Sequence, residues 1–140
     1  MTPAELASLR AAREAVVREH MERENAHDFD AVLKTFRHPR YELIATDQIH
    51  DGEAEVREYF RVSRRAFPDQ RNELISLRHA DDAVVVELWL LGTHLGPLGA
   101  LAPTGRAFKT RMLALFIFEG SGIVCERVYF DPGSILKQLT

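Results

Sequence analysis

Apolar residues recur at helical spacing through the first half of the chain and at strand spacing through the second. Leu6, Leu9, Ala12, Val16, Val17 and Met21 follow one another at intervals suited to one face of a helix over roughly residues 3–25. Asp28 reads as an N-cap, with Phe29, Val32, Leu33 and Phe36 behind it at i, i+3, i+4 and i+7, and Pro39 ends that short helix. Tyr41 to Ala45 and the region of Ile49 read as short strands. A third helix follows Asp51-Gly52, with Val56, Tyr59, Phe60, Ser63 and Phe67 on one face and Pro68 as its stop.

From Asn72 the period changes. Leu74 to His79, Ala83 to Leu95, Arg106 to Glu119 and Ile123 to Asp131 read as four strands. Ala80-Asp81-Asp82 and Gly120-Ser121-Gly122 are short enough for hairpin turns. The predicted fold is α+β, with three N-terminal helices packed on a strongly curved, mainly antiparallel sheet. Such a sheet makes a cone with one open end, a natural small-molecule pocket. Leu113 to Phe118 is apolar on both strand faces, so the second face needs a partner, and a homodimer is the simplest. Gly96 to Gly105 is rich in Gly and Pro yet also holds Leu98, Leu101 and Ala102. An apolar loop of that kind lies against something, either a pocket mouth or a subunit interface.

Composition narrows the classes. The 140 residues fit one domain, residues 1–140. A net charge of -3 argues against a dedicated nucleic-acid binder. No run is long and apolar enough for a membrane span, and the start lacks the pattern of a signal peptide, so the expected compartment is the cytoplasm. The six His show no metal spacing, and the single Cys125 sits mid-strand as a small core residue. No phosphate-binding or nucleophile-elbow motif is present. The expectation is no metal and no cofactor.

Candidate chemistry then rests on single residues. Asp131 ends an apolar strand before Pro132-Gly133. At the rim of a cavity it would be desolvated and usable as a general acid/base; alternatively it forms the turn. Strict alternation places it on a face with Tyr129, Arg127 and Cys125. His94, at the end of its strand, either orients a carbonyl or is a plain strand-end histidine. Asn25 extends the Val17–Met21 stripe by one turn and either binds a ligand or finishes a helix. Trp89 is a flat wall for a ring-shaped ligand or a packing residue. Lys109 and Arg111 meet an anion or pair with Glu87 or Glu126 across the sheet.

Gly92-Thr93-His94-Leu95-Gly96, Pro103-Thr104-Gly105-Arg106, Phe116-Ile117-Phe118-Glu119, Gly122-Ile123-Val124, Tyr129-Phe130-Asp131 and Gln138-Leu139 follow the order seen in SnoaL-like polyketide cyclases. From about Arg13 onward the chain resembles that family, which belongs to the cystatin-like cone superfamily that includes ketosteroid isomerases. The resemblance implies a cofactor-free intramolecular aldol closure, with proton abstraction beside a carbonyl of a hydrophobic small molecule. It places the acid/base at Asp131; the residues themselves offer His94 and Tyr129 as its hydrogen-bond partners, with His94 the second catalytic candidate. Asn25, Trp89, Tyr129, Leu98 and Leu115 are the expected substrate contacts. The sequence departs from the family at Tyr129, where the cyclases carry histidine. It departs again at Leu113, Leu115 and Ile117, where they carry polar groups. A non-catalytic binding module on the same fold is the alternative.

Overall fold

The computed structural model describes residues 1–140. Four α-helices, α1 (Pro3–Asn25), α2 (Phe29–Lys34), α3 (Glu53–Ala66) and α4 (Pro132–Leu139), accompany six strands. The strands are β1 (Arg40–Leu43), β2 (Gln48–Asp51), β3 (Arg71–His79), β4 (Ala83–Thr93), β5 (Ala107–Glu119) and β6 (Gly122–Phe130). They form one sheet in the order β2-β1-β6-β5-β4-β3. Only β1 and β6 run parallel; the remaining pairs are antiparallel. The expected α+β cone with three helices before the long strands is the fold observed.

The long strands alternate because one face meets the helices. Val84, Val86 and Leu88 of β4, Ala114, Phe116 and Phe118 of β5, and Val128 of β6 are buried against Val17, Met21, Val32, Val56 and Phe60. Arg13 closes the narrow end. It is buried on α1, donates to the Gly120 carbonyl at 2.8 Å and the Asp81 carbonyl at 3.0 Å, and so ties the helix to both hairpin turns. Its guanidinium lies 5.2 Å from the Phe118 ring centre.

Two expectations change. The buried face of α1 is Arg13, Val17, His20 and Met21, not the stripe that starts at Leu6. Leu6 and Ala12 are exposed. The C-terminus, which the strand pattern left unassigned, is helix α4. Asp131 caps it, Pro132 occupies its first turn, and Ile135 and Leu139 pack with Phe67 and Phe108 at the open end. Gln138 locks α4 to the edge of β5, accepting from Lys109 N at 2.9 Å and donating to Lys109 O at 3.1 Å.

The loop after β4 is held at both ends. Leu95 N and Gly96 N both donate to the Ala66 carbonyl at the end of α3, each at 3.1 Å. Gly105 N donates back to the His94 carbonyl at 2.9 Å. A Cβ on Gly96 would overlap the Arg65 carbonyl oxygen, which is backbone and cannot swing away. Gly96→Ala is therefore expected to destabilise the fold by roughly 1–3 kcal/mol, as overpacking does. Urea unfolding checks this, and an unchanged midpoint would contradict the packing argument.

Candidate active site

The cone encloses a cavity of about 480 Å³ between the helices and the concave sheet face. Its wall is largely apolar, with Leu88, Met112, Phe108, Phe116 and Phe130 from the sheet side and Met21 and Tyr59 from the helices. The two acids Glu24 and Glu126 interrupt this surface, with Arg64 beside them.

Glu24 comes from the last turns of α1 and Glu126 from the middle of β6. Between them, behind the wall, lies His20, one helical turn before Glu24 and fully buried. Its Nε2 is 2.7 Å from Glu126 Oε1 and 3.5 Å from Glu24 Oε2. Tyr41 Oη is 3.2 Å from the same nitrogen and donates to Glu24 Oε1 at 3.0 Å. Arg64 Nη2 stands 3.7 Å from Glu24 Oε1. The Arg64 guanidinium also stacks on Phe29 and Phe60, with ring centres 5.1 Å and 5.5 Å away. Phe36 and Phe116 meet the His20 ring edge-on at 5.2 Å and 5.1 Å. The cluster is thus a charged knot inside an aromatic shell.

The two acids differ in how they are held. Burial pushes Glu24 upward, but the His20 and Arg64 charges and the Tyr41 hydroxyl outweigh it and keep it below the usual carboxylate range. Glu126 is raised, first by burial and then by the neighbouring Glu24 charge. Its contact with His20 is short but off the line of a good hydrogen bond, so Oε1 lacks a well-aligned donor. Burial opposes charge on His20 too, yet the Glu24 and Glu126 carboxylates carry it up to about 10. Burial lifts Tyr59, on the same wall, to about 12. One wall therefore holds an ionised acid and, beside it, an acid biased toward its protonated form. That difference is what acid/base catalysis requires.

The ligand atoms of His20, Glu24 and Glu126 lie within 4.8 Å of one another, close enough to converge on a small cation. Arg64 and the His20 ring already supply positive charge there, so the carboxylates are balanced without one. Burial pushes the Cys125 thiol up to about 12, which removes it as a nucleophile.

The residues singled out in the sequence scatter. Leu98 and Asn25 do line the cavity. Asn25, however, spends its amide on the backbone, donating to Asn72 O at 3.0 Å and accepting from Asn72 N at 2.8 Å. Asp131 is exposed and lies off the wall, its Oδ1 accepting from Gly133 N at 2.9 Å as the cap of α4. The burial expected to make it an acid/base is absent. His94 is fully buried outside the cavity, and its Nδ1 accepts from Thr104 N at 3.2 Å. It pins the loop rather than facing a ligand.

Trp89, Tyr129 and Leu115 lie on the other face of the sheet. There the Lys109 and Arg111 cations approach the Trp89 ring, at 4.6 Å and 4.3 Å from its centre. Arg111 pairs with Glu87 at 2.6 Å, as the cross-strand alternative required. For Tyr129 the cause is a bulge in β6. Ile117 pairs with Cys125 but Phe118 pairs with Ile123, which leaves Val124 as an extra residue in β6. One extra residue reverses the alternation beyond it. Glu126, Val128 and Phe130 consequently line the cavity, and Cys125, Arg127 and Tyr129 do not.

The His20 charge has a consequence for stability. Its ordinary value is 6.5 and its folded value about 10. The stabilisation it supplies is complete below 6.5 and lost as pH rises through about 10. Denaturant unfolding is expected to show stability falling across that window, and His20→Gln should flatten the fall. An alkaline limb that survives His20→Gln unchanged would assign the loss to other groups.

The family model for SnoaL-like polyketide cyclases matches residues 14–139. Among solved structures, a SnoaL-like protein from Jannaschia sp. CCS1 superposes with a TM-score of 0.84 at 18% identity, covering 99% of this chain and 95% of its own. A protein from Catenulispora acidiphila with a ketosteroid isomerase-like fold, solved with trimethylamine, gives 0.74 at 17% identity over 88% and 90% of the two chains. TerC, co-crystallised with polyporic acid, gives 0.79 at 11% identity over 91% and 98%. No curated protein matches the chain. The family match extends over nearly the whole domain, cone and cavity included, and on it the chain belongs to the SnoaL-like polyketide cyclases.

Proposed function

We propose that the protein is a cofactor-free acid/base enzyme. In this reading it moves a proton on the carbon beside a carbonyl of a hydrophobic small molecule held in the cone, with Glu126 as the acid/base. The observation that carries this is the placement of Glu126: a buried carboxylate on an apolar cavity wall, raised above its ordinary range. Ionised, Glu126 takes the proton; protonated, it returns it. The C–H electron pair passes into the carbonyl as an enolate. Arg64 and the His20 ring supply the positive charge that offsets it, and the aromatic wall excludes water. Family membership supports the reaction class, and two proteins of the same fold solved with small organic molecules support a small-molecule ligand. Isomerisation and aldol closure both begin with this step.

The test is deuterium exchange from solvent into the α-carbon of an aromatic β-keto ester, followed by mass spectrometry. Glu126→Gln should slow the enzyme-dependent exchange about 10²-fold or more, the ordinary worth of a general base. Asp131→Asn should leave it unchanged. Loss on Asp131→Asn alone would return the chemistry to the rim. Saturable ester binding by the wild type with no enzyme-dependent exchange would instead favour a binding module.

The same reading includes a homodimer formed through the outer sheet face, where Leu113 and Tyr129 remain 37% and 40% exposed beside Leu115 and Trp89. Light scattering should give twice the 15.9 kDa chain mass, and Leu113→Arg should halve it. A wild-type monomer would defeat this part of the reading.

A further inference from the structure

The hydrogen bonds around His20 account for every proton near its ring. Thr35, which caps the C-terminal end of α2, places its Oγ1 2.8 Å from His20 Nδ1. A hydroxyl has one proton, and this one goes to the Val32 carbonyl at 2.6 Å. Thr35 Oγ1 can then only accept, so Nδ1 must carry hydrogen. On the other side the Tyr41 proton goes to Glu24 Oε1, so Tyr41 Oη likewise accepts from Nε2. Both ring nitrogens are donors, which is the imidazolium.

The groups facing that ring are Glu24 on its own helix, Tyr41 from β1 and Glu126 from β6, with Arg64 of α3 behind Glu24. Without Thr35, Nδ1–H would have no acceptor among Phe36 and Phe116, and the ring could release that proton or turn.

We propose that Thr35 is a positioning residue that fixes His20 with a proton on Nδ1, so that the ring proton given up on neutralisation is the one on Nε2, the nitrogen nearest the cavity carboxylates. His20 then serves as a fixed cation behind Glu126. It acts through Glu126 and never touches the ligand. This rests on the reading of Glu126 as the acid/base, and it explains how that acid keeps a constant electrostatic partner through a proton-transfer cycle.

The experiment is two-bond ¹H–¹⁵N NMR of the histidine rings across a pH titration, with His20→Gln to identify the resonance. The wild type should show both His20 nitrogens protonated at neutral pH. Above its midpoint, near 10, the neutral ring should be the Nδ1–H form, the minor form in free histidine. Thr35→Val should lower the midpoint by about one unit or more and convert the neutral ring to the Nε2–H form. Thr35→Ser, which keeps the hydroxyl, should restore both wild-type features. A neutral wild-type ring in the Nε2–H form, or a Thr35→Val ring identical to wild type, would overturn the proposal. The wild-type tautomer decides the matter even if Thr35→Val does not fold. Failure here with exchange still lost in Glu126→Gln would remove the role of Thr35 alone. Loss of Glu126 dependence with the predicted tautomer intact would remove the reading on which it rests.

Discussion

Charges buried in a protein interior must find partners or lose them to protonation, because transfer from water costs several kcal/mol per ion. The knot of His20, Glu24, Glu126, Tyr41 and Arg64 meets that demand with groups from α1, β1, α3 and β6, and α2 adds Thr35. Five elements are therefore tied to one another by hydrogen bonds and ion pairs and not by apolar contact alone. Apolar packing tolerates a sliding helix better than a donor–acceptor set does. Arg13, two turns earlier on the same face of α1, repeats the device at the narrow end by bonding both hairpin turns. Helix α1 is thus seated on the sheet at two polar points, with Val17 between them.

Much of this fold is legible in the residues. The change from helical to strand spacing near residue 72, the cap at Asp28, the Asp51-Gly52 pair before the third helix, and the turns at 80–82 and 120–122 lead to the observed element order. Helix α4 was missed because its eight residues follow a strand without a long apolar period. The Asp131-Pro132 pair carried the signal, since Asp at the cap and Pro in the first turn are favoured together. The same pair decides the nature of Asp131. A capping carboxylate is held by backbone N–H in a solvated turn, and the turn-forming alternative read from the sequence describes it better than the acid/base one.

The site was harder to see for two distinct reasons. Burial of Ile123 and strict alternation together put Arg127, Tyr129 and Asp131 inside, and the unpaired Val124 reverses that arrangement. A bulge leaves no reliable mark in one sequence, and β6 is apolar enough on both faces to hide the change. On α1, the hydrophobic stripe runs through Leu and Val, whereas the face that turns inward is Arg13, Val17, His20 and Glu24. His20 and Glu24 stand one turn apart, a spacing visible in the sequence. It signifies nothing until the partner carboxylate is known to come from β6.

Asp131 and Glu126 sit five residues apart on one strand and its continuation, yet water treats them in opposite ways. Asp131 is exposed to solvent and its Oδ1 is occupied by the backbone N–H of Gly133. Glu126 faces an apolar cavity with a cation fixed behind it, so moving its proton changes the local field strongly. Family resemblance aligns residues along the chain and therefore points to the aspartate at the strand end. Electrostatics depends on where a side chain lies relative to water, and on that measure Glu126, not Asp131, is the carboxylate on the apolar wall. A bulge of one residue is enough to separate the two criteria within a fold that otherwise conforms to its family.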